Sequence, residues 1–279
     1  MNFSSASLVS RLVSMLPRRT AQAAFFCALT SVCIAGVSSQ AQAQDDKSLT
    51  LATLDWEPYT GSAMPGGGAV SAFISEALKS KGYATSYGFW PWKRAIVMAW
   101  RGQDETLGYF PGYHCHHNSD TDFVASKVIV NTQLGFVHMG GHPLPAWENL
   151  NDLSKVRIGY VTGYASTDEF EALEAAGTLR VFRTINDATN LKKLLKGQLD
   201  AVLIDRFVFE NLVNADPTLQ GVAPTIVFAD KPLDTKPLHL CLRNDDQGRA
   251  VRDAFDAALA EMDADTFITK YFQNTSTLR

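Results

Sequence analysis

Two groups of residues in this 279-residue chain could do chemistry. The first is the run His114-Cys115-His116-His117. Imidazole and thiolate ligate zinc and copper, and imidazole also carries protons near neutral pH. In an extended segment His114 and His116 share a face. The spacing matches no standard zinc pattern, however, and a fourth ligand has to come from elsewhere. The run is therefore read as polar loop histidines beside a cleft, with no metal. The second group is aromatic: Trp56, Tyr59, Trp90, Trp92, Tyr109 and Tyr113. Indole and phenol tips need polar partners, so aromatics at strand ends lean towards a cleft, although core filling stays open for each. Trp100, beside Met98 and Ala99, reads as core, and Arg94 as a solvated helix residue. Gly66-Gly67-Gly68 precedes a helix and could cradle an anion. It fits neither G-x-G-x-x-G nor a Walker loop and reads as a turn. Glu57 and the histidines could carry protons, but no Ser-His-Asp order, nucleophile elbow or paired-carboxylate motif supports catalysis. The expectation is a protein that is not an enzyme and needs no cofactor.

These residues have to be held by regular elements, and the pattern alternates. Strands are expected at 49–55, 85–89, 105–110 and 128–138, with helices over 70–81 and from Pro91 to Gly102. A second block puts strands at 156–161, 179–184, 201–204, 225–229 and 239–242. Ser166-Thr167-Asp168-Glu169 reads as a capping box opening a helix to Gly177, and Asp187 as the cap of the next helix. Val251, Phe255, Leu259 and Met262 recur at helical spacing in a closing helix. Strand–helix alternation in two blocks implies two parallel or mixed sheets flanked by helices. The connectors at Met139–Pro143 and Lys231–Leu238 suggest two crossovers and a two-segment hinge, with lobe 1 over 44–138 plus 236–279 and lobe 2 over 139–235. In open α/β sheets ligands sit beyond the strand carboxyl ends, so the cleft between lobes is the expected site.

Composition narrows the class. Hydrophobic residues are 46% and charged residues 19%, an ordinary globular balance with enough apolar surface for a sizeable core. A formal charge of −4 excludes a globally basic nucleic-acid binder. Residues 1–43 hold Arg11, Arg18 and Arg19 and no acid, then an apolar run from Ala23 to Val37, then Ala41-Gln42-Ala43. This is the layout of a secretory signal peptide cleaved after Ala43, leaving Gln44 as the new terminus in the periplasm. Phe26 and Val32, ahead of Cys27 and Cys33, stand where a lipobox wants a small residue, which argues against a lipoprotein. Cys115 and Cys241 remain. In an oxidising compartment they either pair or stay as two buried thiols, and spacing alone leaves both open.

Several segments, taken in order, resemble the family 3 bacterial extracellular solute-binding proteins, the type II periplasmic binding fold. They are Trp56-Glu57-Pro58-Tyr59 after the first strand, Gly102-Gln103-Asp104 before the third, and Phe123-Val124-Ala125-Ser126. Leu153–Gly159 opens the second block as that family does. Leu194–Asp205 is the strongest match, and Phe267–Phe272 is typical of the family's last helix. The resemblance spans 48–273. It implies capture of a small polar solute, an amino acid or related compound, between two closing lobes. The implied partner is the permease of an ABC importer, or a sensor receptor, with no nucleic acid and a monomeric chain. A periplasmic lyase on the same fold is the alternative.

Carried over residue by residue, the resemblance implies that Trp56 and Trp92 sandwich the ligand and that Asp205 receives its ammonium group. A carboxylate at a strand end in a dry cleft suits a cation, and an aromatic face suits an apolar stem or a cation. The sequence also departs from the family. Where amino-acid members usually carry an Arg for the α-carboxylate, His116 or His117 stands here. A histidine gripping an anion binds best when protonated, so affinity would fall as pH rises. Gly163-Tyr164-Ala165-Ser166 replaces a Gly followed by two hydroxyl residues. The candidate ligand contacts are therefore Trp56, Tyr59, Trp92, Tyr109, His116, His117, Tyr164 and Asp205.

Overall fold

The computed structural model describes residues 47–221 and 225–277. The expected signal peptide and its cleavage point lie outside the described residues. The first block opens with β1 (Lys47–Thr53), α1 (Ala69–Lys79), β2 (Tyr83–Phe89), α2 (Trp92–Arg101) and β3 (Thr106–Gly112). In α1 the buried residues Val70, Phe73, Ile74, Ala77 and Leu78 fall at the spacing of one apolar helix face. That face packs on β2 and on the C-terminal helices described below. Gly102 takes a left-handed conformation (φ 61°) and closes α2, as the Pro91-to-Gly102 reading requires.

The chain continues through β4 (Phe123–Ala125) and β5 (Val130–Met139), then β6 (Arg157–Val161), α3 (Asp168–Ala175), β7 (Arg180–Thr184), α4 (Asp187–Leu195) and β8 (Ala201–Asp205). It ends with α5 (Arg206–Ala215), α6 (Pro217–Gln220), β9 (Ile226–Phe228), β10 (Asp234–Arg243), α7 (Asp246–Glu261) and α8 (Ala264–Thr277). The reading by periodicity missed β4, α5 and α6, and of the two last helices it marked only α7. Two helix caps also shift by one residue. Thr167, not Ser166, accepts from the backbone N–H of Phe170, and Asn186, not Asp187, accepts from Thr189.

The strands form two mixed sheets. In the first, β1 pairs in parallel with β2 and β3, while β4 and the second half of β10 run antiparallel. In the second, β6 pairs in parallel with β7 and β8, and β5 runs antiparallel to β8, β9 and the first half of β10. This is the expected two-lobe α/β architecture, but its seam lies elsewhere. β5 was expected to close lobe 1, with the crossover after it at Met139–Pro143. Instead Leu134–His138 pair with β8 and Val130–Leu134 with β10, so β5 belongs to the second sheet from its first residue. The chain leaves the first sheet between Ala125 and Val130. It returns inside β10, where Leu238 still pairs with β5 and His239 already pairs with β3. Hydrophobic spacing marks β5 as a strand but carries no record of its partner, hence the misplaced boundary.

Cys115 and Cys241, between which a bond and free thiols were both open, are joined, with Cα atoms 5.2 Å apart. The bond ties the loop after β3 to β10. It closes a sequence separation of 126 residues, and in the chain-entropy account a loop of that order contributes roughly 4–5 kcal/mol. Adding a thiol reductant to a denaturant titration of the full chain is expected to lower the unfolding free energy by about 4 kcal/mol. A midpoint indifferent to the reductant would mean that the two sulfurs are not bonded in solution.

Candidate functional site

The turn after β1 carries the first wall. Trp56 and Thr60 form an isolated bridge, with the Trp56 N–H donating to the Thr60 carbonyl at 2.8 Å. The turn rests on Gly68, at the head of α1. A Cβ there would lie 2.6 Å from the Tyr59 carbonyl and from Thr60 Cα, so only glycine lets the two backbones meet. Trp56 is thereby pressed onto Tyr59, with ring centroids 4.8 Å apart and planes 28° apart. Trp92 and Ile96, one turn apart on α2, supply a second wall. Tyr109, Pro111 and Tyr113 alternate along and beyond β3, so one face of an extended segment presents all three. Gly163-Tyr164-Ala165, between β6 and α3, closes the space from the second lobe.

Together these residues line a half-open cavity of about 90 Å³. The lobes meet over it. A Cβ on Gly163 would touch Lys93 Cβ at 3.4 Å, and Trp56 stands edge-on to Tyr164 at 6.4 Å. His114 and His116 form the rim, their ring centroids 6.1 Å apart, on the shared face that an extended segment implies. Cys115, between them, is bonded to Cys241. The Tyr109 hydroxyl lies 3.1 Å from the His114 carbonyl and 3.3 Å from that of His116, donating to this loop backbone. The rim opens into a larger vestibule with Asp168, Glu171 and Glu174 along α3 and Arg183 opposite. Among the described residues no group of three or more His, Cys, Asp and Glu side chains is arranged to hold a metal ion.

Of the eight expected contacts, Trp56, Trp92, Tyr109, His116 and Tyr164 line the cavity, and three do not. Tyr59 lies behind Trp56, fully buried, and its hydroxyl donates to Thr132 Oγ1 at 2.6 Å. His117 turns away and packs on Trp100, ring centroids 5.0 Å apart, and Trp100 itself is 38% exposed rather than core. Asp205 is the N-cap of α5. Its Oδ1 accepts from the backbone N–H groups of Phe207 and Val208 at 2.9 and 3.1 Å, and its Oδ2 accepts from the Thr132 hydroxyl. A strand end that is also a helix start draws its carboxylate to the unpaired N–H groups of the helix. Tyr59, Thr132 and Asp205 thus form one buried hydrogen-bonded chain from lobe 1 through β5 to lobe 2.

Missing from the expected set were His114, Ile96 and Pro111, with Tyr113 left undecided between cleft and core. Two signals could have found them: the period-2 spacing from Tyr109 to Tyr113 and the i,i+4 step from Trp92. Asp187, expected as a cap, is buried. It lies beside the Tyr164 phenol, with Asp205 close enough to be felt electrostatically. Burial pushes the carboxyls of Asp187 and Asp205 up to about 7 each, and for Asp187 the neighbouring Asp205 charge adds to this. Burial likewise raises the Tyr113 phenol, again with Asp205 contributing. Burial and the nearby Lys236 hold His114 below its ordinary value, so it is uncharged near neutral pH.

No family model and no curated protein matches the sequence. Solved structures match the fold. An ancestral arginine-binding protein bound to arginine aligns at 16% identity and TM-score 0.65 over 81% of this chain and 97% of that one. An amino acid ABC transporter substrate-binding protein from Streptococcus pneumoniae, bound to L-arginine, aligns at 15% and 0.63 over 81% and 94%. The ancestral amino-acid-binding protein AncCDT-1, a precursor of cyclohexadienyl dehydratase, aligns at 17% and 0.63 over 81% and 94%. The chain therefore has the two-lobe type II fold of amino-acid ABC transporter substrate-binding proteins.

The raised carboxyls have a consequence for stability. Between the ordinary aspartate value of 3.8 and about 7 the native state holds protons that the unfolded chain has released. Their contribution is full below pH 3.8 and is lost as pH rises through 7. The thermal midpoint is expected to fall between about pH 5 and 8, and Asp187→Asn to flatten that fall and to exceed wild type at the alkaline end. Identical slopes for the two proteins would show that Asp187 is ionised throughout.

Proposed function

We propose that this chain is a solute-binding protein that captures a small polar solute, an amino acid or related compound, between its lobes. The observation that carries this reading is the cavity with walls from both lobes, Trp56, Trp92 and Tyr109 on one side and Tyr164 on the other. A pocket divided between two sheets that are joined at only two crossings can open to admit a ligand and close to hold it. The contribution of Asp205 is different from the ammonium contact that the family resemblance implies: it caps α5 and tensions the chain through Thr132 to Tyr59. In this proposal the protein works in the periplasm after removal of residues 1–43, as a monomer, and delivers its solute to an ABC importer. A sensor receptor in place of the permease would use the same closure.

AncCDT-1, a binding protein that preceded an enzyme, keeps a lyase on this fold as the second reading. One experiment separates the two. The full chain is screened by thermal shift against polar metabolites including L-arginine and L-glutamate, and each hit is followed by small-angle scattering and by assay of the recovered solute. Binding at a hundredfold excess over Kd stabilises by about 2.7 kcal/mol, a shift of several degrees. The expected result is a raised midpoint, a smaller radius of gyration and a solute recovered unchanged. A solute consumed with time would mark the lyase, and a radius indifferent to every hit would remove capture by closure.

A further inference from the structure

The cavity has a chemistry of its own. Tyr59 covers one side of Trp56, and Tyr113 and Tyr164 stand at 72° and 79° to the indole plane, with centroids 6.1 and 6.4 Å away. Trp92 and Tyr109 form a second right-angled pair, 5.4 Å apart at 77°. Rings set at right angles around a small volume form a box whose walls are π-faces and edges. Neither a carboxylate nor a Lys or Arg side chain lines that box.

Two carboxyls lie one layer further out, Asp187 beside the Tyr164 phenol and Asp205 near enough to act on both Tyr113 and Tyr164. The oxygens of Asp205 are engaged by Thr132, Phe207 and Val208 and are not offered to the cavity. The vestibule is acidic, with Asp168, Glu171 and Glu174 against Arg183, which is itself paired with Glu174. An anion entering here crosses a carboxylate-lined approach in which Arg183 and the nearby Lys236 are each already paired with a carboxylate. A primary ammonium enters with three N–H donors and finds aromatic walls with no carboxylate to receive them, a costly burial. A quaternary ammonium has no donor to satisfy and is attracted to the ring faces. One wall also lacks a partner of its own: the Trp56 indole N–H is buried with no acceptor.

We infer that the cavity is an aromatic cage for a trimethylammonium group. This rests on the solute-binding reading and names its substrate class. The test is calorimetric titration of the full chain with glycine, N-methylglycine, N,N-dimethylglycine, N,N,N-trimethylglycine, choline and L-arginine. Affinity is expected to rise along the methylation series, with trimethylglycine or choline binding at least tenfold more tightly than glycine. Trp92→Leu should cost that ligand tenfold or more, and Trp92→Phe much less. Because Trp92→Leu could disturb folding, the chain is also produced with fluorinated tryptophan, which drains the ring face of charge without changing its shape. Affinity for the trimethylated probe should then drop several-fold at an unchanged thermal midpoint. Tightest binding of glycine or L-arginine, or indifference to ring fluorination, would overturn the cage and leave solute capture standing. No binding of any of the six probes would overturn the cage, and if the metabolite screen also found no ligand and no compaction, solute capture would fall with it.

Discussion

Strand β10 is the constraint on which the rest of the molecule depends. Its first half completes the second sheet beside β5 and its second half completes the first sheet beside β3 and β4, so a single run of backbone belongs to both lobes. Any rotation of one sheet against the other has to pass through Leu238–His239 and the parallel crossing at Ala125–Val130. The disulfide sits on the first-lobe half of the same strand and fastens to it the loop that carries His114 and His116. The cavity rim is therefore indexed to the hinge through a covalent bond, while its far wall, Tyr164, moves with the other sheet. Few residues lie between the pivot and the jaws, which limits how far rim geometry can drift from one closure to the next.

The second organising feature is charge buried without a cation. Asp205 is 2% exposed and Asp187 5%, and Asp205 is held by hydrogen bonds instead of a guanidinium or ammonium partner. Unpaired buried carboxylates are costly when ionised, and their raised values express that cost. Such an arrangement persists where helix N-termini need capping, and Asp205 does that for α5. Asp187, in the first turn of α4, lies beside the Tyr164 phenol instead.

Much of this architecture was legible in the sequence, and the omissions have physical causes. Long amphipathic or alternating segments, such as α1 with its Val70-to-Leu78 stripe and the strands flanking it, declare themselves because burial repeats at a fixed period. Elements too short to show a period, β4 and α6 among them, do not. The lobe boundary failed for a different reason, since strand partnership is a long-range property and β5 looks the same on either side of the seam. At the site, Trp56, Trp92, Tyr109, His116 and Tyr164 were named because their side chains lie at the ends of readable elements. Tyr59 and Asp205 were misassigned because residue type and position match a ligand contact, while a cap and a buried relay partner satisfy the same pattern. Only the placement of Thr132 on β5, between them, separates the two readings.

The rim shared by the cavity and the vestibule bears on rates. His114, His116, Gly163, Tyr164 and Ala165 border both spaces, so the vestibule leads to the rings between one loop of each lobe. In a binding protein of the kind proposed, the association rate scales with the fraction of time such a passage stands open, and residence with how often it reopens. Substitutions at the rim would then alter how long a ligand stays with little change in what the rings prefer, so dwell time and selectivity would be set by different residues.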